Sequence, residues 1–324
     1  MCQMMNKAKI KMEVKLTAQT HIMTHQAFRP GNTPFDRLNE KNNTLFFPVA
    51  ERDLGWHRRD GTYDKMVTHK AIIRLSDDGK SASAINVVNK TYKLVHNREL
   101  FTGIEDTMCN EMGLPAIRDV AVKDSIAHGG RTCIRQYVFP NITCRPTSRS
   151  IKSEIAFRVI ARNSYGGTGI RLYGGAIEFY CTNGMMSGQH DAAYFRHTSG
   201  LQISGINLAV KRMLEQFVDK QAVWAKWADT PVQRHATIEF FRAISASPRQ
   251  FDLFQTRWLE EREDRGSTVW SVYSTLTNFS SHPRGEFAPR RTDNDTLAAT
   301  MLHREVQVQK WVSSPEWGKL LEAV

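Results

Sequence analysis

The sequence predicts an α+β protein: an antiparallel, β-rich N-terminal part with a central hairpin, followed by an all-helical C-terminal part. Two observations carry this. First, apolar residues alternate at Ile155, Phe157, Val159 and Ala161, and again at Ile177, Phe179 and Cys181. A period of two places each set on one face of a sheet. The intervening Asn163-Ser164-Tyr165-Gly166-Gly167 has turn composition, because Gly and Asn tolerate positive φ. Second, beyond Gly188 the apolar period changes to that of a helix, and Ser/Thr-Pro pairs punctuate it.

Taken in order, Ile10, Met12, Val14 and Leu16 alternate with Lys9, Lys11, Glu13 and Lys15, which predicts a half-buried strand with a basic outer face. Residues 26–43 are polar, with Pro30, Gly31 and Pro34, and read as a loop. Candidate strands follow at Lys70–Leu75, Ala84–Val88 and Tyr92–Val95, with Asp78-Gly79 as a turn. Asn97 reads as the N-cap of a helix whose Leu100, Phe101, Ile104, Met108 and Met112 share a face, stopped by Gly113. Strands resume at Arg118–Ile126 and Thr132–Phe139, and the central hairpin follows them. Helices are then predicted over Ile206–Ala228, from Thr230-Pro231 to about Ser245, from Ser247-Pro248 onward, over Thr268–Ser281, over Asp295–Val312, and from Ser314-Pro315. The expected organisation is an N-terminal strand and loop (1–45), a β-rich core with one helix (46–190) and a helical region packed on it (191–324).

The chain has 324 residues, of which 41% are hydrophobic and 24% charged, an ordinary balance for a globular protein. No apolar run approaches a membrane span, and the N-terminus lacks the compact apolar segment of a signal peptide, so a cytoplasmic protein is expected. The five cysteines are scattered and none forms a C-x-x-C pair, which points to reduced thiols. No spacing of His and Cys matches a zinc site, there is no nucleophile elbow, and Gly166-Gly167-Thr168-Gly169 lacks the lysine and following helix of a phosphate loop. No cofactor, metal or catalytic residue is therefore assigned.

The formal net charge is +11, which suits a polyanionic partner. Basic residues gather at Arg145, Arg149, Lys152, Arg158, Arg162 and Arg171, with Tyr165 and Tyr173 at or near the turn. Arg290 and Arg291 form a second group. Cations follow a phosphate backbone and aromatic faces stack bases, so these ten residues are the candidate nucleic-acid-binding set. A basic solvent face with ordinary hairpin aromatics is the competing reading.

The run Arg162-Asn163-Ser164-Tyr165-Gly166-Gly167 and the strand ending Cys181-Thr182-Asn183-Gly184 resemble the phage/plasmid-like proteins of domain-of-unknown-function family 932. Tyr92–Phe101 and Trp270–Asn278 are similar to flanking pieces of that family, so the resemblance covers roughly Phe46–His282. Gly166 stands where that family commonly has an acid. The resemblance implies a phage or plasmid setting among DNA-processing genes, with no established enzymatic activity. A hairpin leading into a long helix is also the arrangement of ring-forming single-strand annealing proteins, a likeness of fold alone.

The leading expectation is a homo-oligomeric protein that binds, anneals or protects single-stranded DNA in recombination or replication. The alternatives are a non-catalytic interaction protein, for anti-defence or phage assembly, and a metal-dependent nuclease using Asp119, Asp124, Glu154 or Glu178.

Overall fold

A computed structural model describes residues 34–41, 44–76, 78–145, 148, 150–151, 154–178, 184–186, 193–198, 204–282 and 296–323. The expected strand at Lys9–Leu16 lies outside these residues.

The α+β order is as expected. Helix α1 (Pro34–Lys41) precedes three strands, β1 (Val49–His57), β2 (Tyr63–Leu75) and β3 (Ala82–Asn89). Helices α2 (Asn97–Met112) and α3 (Leu114–Ile117) follow. Strands β4 (Ala121–Ala127), β5 (Thr132–Cys144), β6 (Ile155–Ser164), β7 (Ile170–Glu178), β8 (Gly184–Met186) and β9 (Ala193–Phe195) come next. Six helices complete the chain: α4 (Ser204–Asp229), α5 (Arg234–Ile244), α6 (Pro248–Arg265), α7 (Val269–Ser281), α8 (Leu297–Trp311) and α9 (Pro315–Glu322). Among the described residues no helix is long and apolar enough to cross a membrane.

The first three strands form their own sheet, in the order β1-β2-β3. The remaining strands form a six-stranded antiparallel sheet, β4-β5-β6-β7-β8, with β9 also paired to β7. One face of this larger sheet carries Tyr137, Val159 and Phe157, and it packs on α2 and α4. The Phe157 and Phe217 rings lie 5.4 Å apart. Gly174 is needed here: a Cβ on it would lie 2.8 Å from the Met213 side chain, so the missing side chain lets α4 approach β7 closely. Leu100, Phe101, Ile104 and Met108 of α2 are all fully buried, each stabilising by about 1.5–3 kcal/mol.

A single buried arginine organises this face. Arg135 on β5 donates to both oxygens of Asp124 on β4, each at 2.7 Å, and to Glu105 on α2 at 2.8 Å. Asn39 of α1 accepts from Arg135 and donates to Glu105, and Tyr137 also donates to Glu105. Burial nevertheless raises the Glu105 pKa, against the lowering pull of Arg135.

The opposite face is covered by α8. Leu302 joins Ile134, Ile160 and Tyr173 in a small separate cluster. At the end of β7, Glu178 accepts from Arg265 of α6 at 2.9 Å, which ties the helical part to the sheet.

Four local expectations are corrected. Residues 34–41 form α1 instead of a loop, because Phe35 finds a buried seat edge-on to Tyr137. Tyr92–Val95 is not a strand; it runs outside both sheets from the turn at 90–91 to α2, and Tyr92 packs on His197 instead. The N-cap of α2 is His96, and Asn97 uses its side chain to join Leu45 and Asn163 across the core. Thr230-Pro231 does not start α5; Pro231 bridges to Thr268 and the helix begins at Arg234. The Ser247 and Ser314 caps stand, and Thr268, expected inside its helix, caps it; each of the three side chains accepts from the backbone N–H three residues on.

Candidate nucleic-acid interface

The β6–β7 hairpin is the centre of the expected interface, and the structure divides its residues between interior and surface. Pairing places Arg162 directly opposite Arg171. Ile134 neighbours Arg162 on one side, and Tyr194 neighbours Arg171 on the other. Directly paired residues share a face, so one row of the sheet reads Ile134, Arg162, Arg171, Tyr194. The row lies next to the hairpin turn. That turn is glycine-dependent: Gly169 has φ of +76°, and a Cβ there would meet the Tyr194 ring at 2.5 Å.

Both arginines of this row are half-buried. Arg162 donates through Nη2 to Thr168 at 2.7 Å and forms no ion pair among the described residues. The Arg171 guanidinium lies 5.0 Å from the centre of the Tyr194 ring, a cation–π contact. Tyr194 is 45% exposed. The row sets two arginines side by side with an exposed aromatic ring, residue types that can meet a phosphate and a base.

Three expected residues are elsewhere. Arg158 shares the face of Arg162 but is buried under α8, where it donates to Glu305 at 2.6 and 3.1 Å. Tyr165 is fully buried; its hydroxyl accepts from the Asn97 backbone N–H at 3.1 Å, and its ring meets Phe47. Tyr173 lies in the cluster beneath Leu302. None of the three is available to stack a base or meet a phosphate in this arrangement. Arg145 is exposed just past β5. Arg149, Lys152, Arg290 and Arg291 lie outside the described residues.

Three of the four nuclease carboxylates are engaged by separate partners. Asp124 is engaged by Arg135, Glu178 by Arg265, and Asp119 accepts from Asn141. Among the described residues no group of three or more His, Cys, Asp or Glu is placed to hold a metal ion. Cys109, Cys133 and Cys144 are buried thiols, and burial pushes Cys133 up to about 12.

Sequence reasoning missed Tyr194. Its strand is only three residues long, too short for a period to register. It also missed Glu105, whose helical position gives no hint that an arginine lies across from it.

A protein-family model described as "Domain of unknown function (DUF932)" matches residues 84–307, more than half of the chain. The match begins and ends later than the Phe46–His282 stretch expected from the motifs. No curated protein and no solved structure matches the chain.

Proposed function

The chain belongs to the DUF932 family, and because membership carries no activity with it, we propose on physical grounds that this protein binds single-stranded nucleic acid. In this reading it anneals or protects strands during recombination or replication, in a phage or plasmid setting, and works as an oligomer that extends the binding track. The observation that carries the reading is the Arg162–Arg171 cross-strand pair beside the exposed Tyr194 ring. The formal net charge of +11 supports it by favouring a polyanion over the whole surface.

Fluorescence anisotropy with a labelled single-stranded oligonucleotide, titrated at several salt concentrations, tests this. Binding should weaken steeply with salt. Each phosphate contact contributes about 0.7 to the slope of log affinity against log salt for single strands, so R162Q/R171Q should flatten that slope by roughly 1.4. An unchanged slope rejects this row as the contact. Absence of binding by the wild-type protein at low salt rejects the function and leaves a protein partner as the search.

A further inference from the structure

The inner ends of β1 and β2 join the core through Val49 and Ile72, but the outer part of this ribbon is used by neither the core nor the row above. β3 pairs only with His69–Leu75 of β2. Beyond that point β1 and β2 continue as two strands alone, pairing Gly55 with Lys65, Trp56 with Asp64 and His57 with Tyr63. The register shifts between Asp53 and Gly55, which bends the ribbon. Across residues 50–69 no side chain is buried. The ribbon thus stands clear of the protein.

Its tip is aromatic on both sides. Successive residues of a strand point to opposite faces, so Trp56 projects from one face and His57 and Tyr63 from the other. Trp56 is 55% exposed, and Tyr63 is similarly open. The rings are placed, not adrift: His57 and Tyr63 lie 5.2 Å apart, and the Tyr63 ring rests against Gly55, where any Cβ would collide with it. Among the carboxylates here, Asp64 is paired with Arg58, Asp53 with Lys65 and Lys90, and Asp60 is bonded to Thr62. Arg59, in the turn between the strands, forms no ion pair among the described residues, whereas Arg52, nearer the core, donates to the Glu51 carbonyl at 3.0 Å. The tip therefore carries large flat rings and one arginine outside any ion pair among the described residues.

We propose that the ribbon tip is a base-stacking platform for unpaired nucleotides, with Trp56 and Tyr63 offering stacking faces and Arg59 meeting a phosphate. This rests on the single-strand reading above and names a second contact for it. A single strand presents unstacked bases and a phosphate backbone together, which matches exposed rings and an exposed arginine on one projecting element. A second protein chain would instead need to bury the rings against an apolar surface and bring an acid to the arginine. The ribbon precedes the residues matched to the family, which start at Ala84.

Trp56 is its own reporter. Of the seven tryptophans, Trp56 is exposed, five are buried, and Trp311 is half-buried. Titration of the full chain with oligo(dT) should quench the exposed tryptophan emission and protect it from acrylamide, and W56F should abolish both changes. W56A/Y63A should weaken oligo(dT) binding by roughly 5- to 150-fold per stacked base while leaving the melting curve in place. If wild type saturates by anisotropy, loses affinity in R162Q/R171Q, and yet Trp56 stays silent, the platform is wrong and the function stands. If W56A/Y63A binds as wild type does, the platform is likewise wrong. If Trp56 is already shielded without DNA and W56A/Y63A sediments as a smaller species, the ribbon is a contact between copies and the proposal falls. No binding at all overturns both proposals.

Discussion

The β6–β7 hairpin and the β1–β2 ribbon are the same local object with opposite fates. Each is a pair of antiparallel strands carrying arginines and aromatic rings. The first has strands on both sides, α4 against one face and α8 over much of the other, so Arg158, Tyr165 and Tyr173 are interior groups. The second has a third strand along only part of its length, and its rings stay in solvent. Basic-aromatic composition therefore does not identify a binding surface. What later segments of the chain pack onto the strands decides it.

Substitutions in the two hairpins should differ accordingly. The largest effect is expected at the covered arginine. R158A strands Glu305 inside the protein, and breaking such a buried pair costs about 3–5 kcal/mol. R158M/E305L should recover most of that loss in urea unfolding, because neither charge is then left alone. A destabilisation of R158A below about 1 kcal/mol would show that α8 does not seal this face. The glycines give a direct contrast. G174A pushes a Cβ into Met213 and should cost about 1–3 kcal/mol in global stability through overpacking. G55A meets an even closer obstacle, the Asp64 carbonyl oxygen and the Tyr63 ring. It should nevertheless leave the unfolding midpoint nearly unchanged and alter only Trp56 emission, since no side chain of the outer ribbon, residues 50–69, is buried. Equal global losses for the two would break the comparison.

The smallest effect concerns His197, which is buried against Tyr92 with their ring centroids 4.7 Å apart. Burial lowers its pKa below the ordinary imidazole value of 6.5. Because the folded value is depressed, the unfolded chain binds the proton more readily. The contribution to stability is thus complete above pH 6.5 and is lost as pH falls through that value toward the folded one. Melting temperatures from pH 8 to pH 5 should fall in the wild type, and H197F, which keeps a ring on Tyr92, should flatten that fall.

The α+β order, the central hairpin and most helix starts were legible because they depend on neighbours in sequence: alternation, a glycine turn, a Ser or Thr cap. The site was legible only in part. Arg158 and Arg162 lie four residues apart on one strand and on the same face, and alternation assigned that face correctly. It carried no information that Glu305, 147 residues further on, would cover one of them. Tyr165 read as a turn residue by composition, yet its hydroxyl serves the first N–H of α2. β1 was missed because Glu51, Arg52, Asp53 and Gly55 give no apolar alternation, as expected of a strand that buries almost nothing.

The Arg135 cluster has a consequence for how the chain folds. Asn39 is made 96 residues before the arginine it bonds, and Glu105 30 residues before. On a ribosome, α1 and α2 emerge long before their cation does. Glu105 cannot be buried until β5 has been synthesised, since an uncompensated carboxylate in the interior is too costly. The packing of α1 and α2 on the sheet must therefore wait for β5, so these two helices settle only after a strand made later than either.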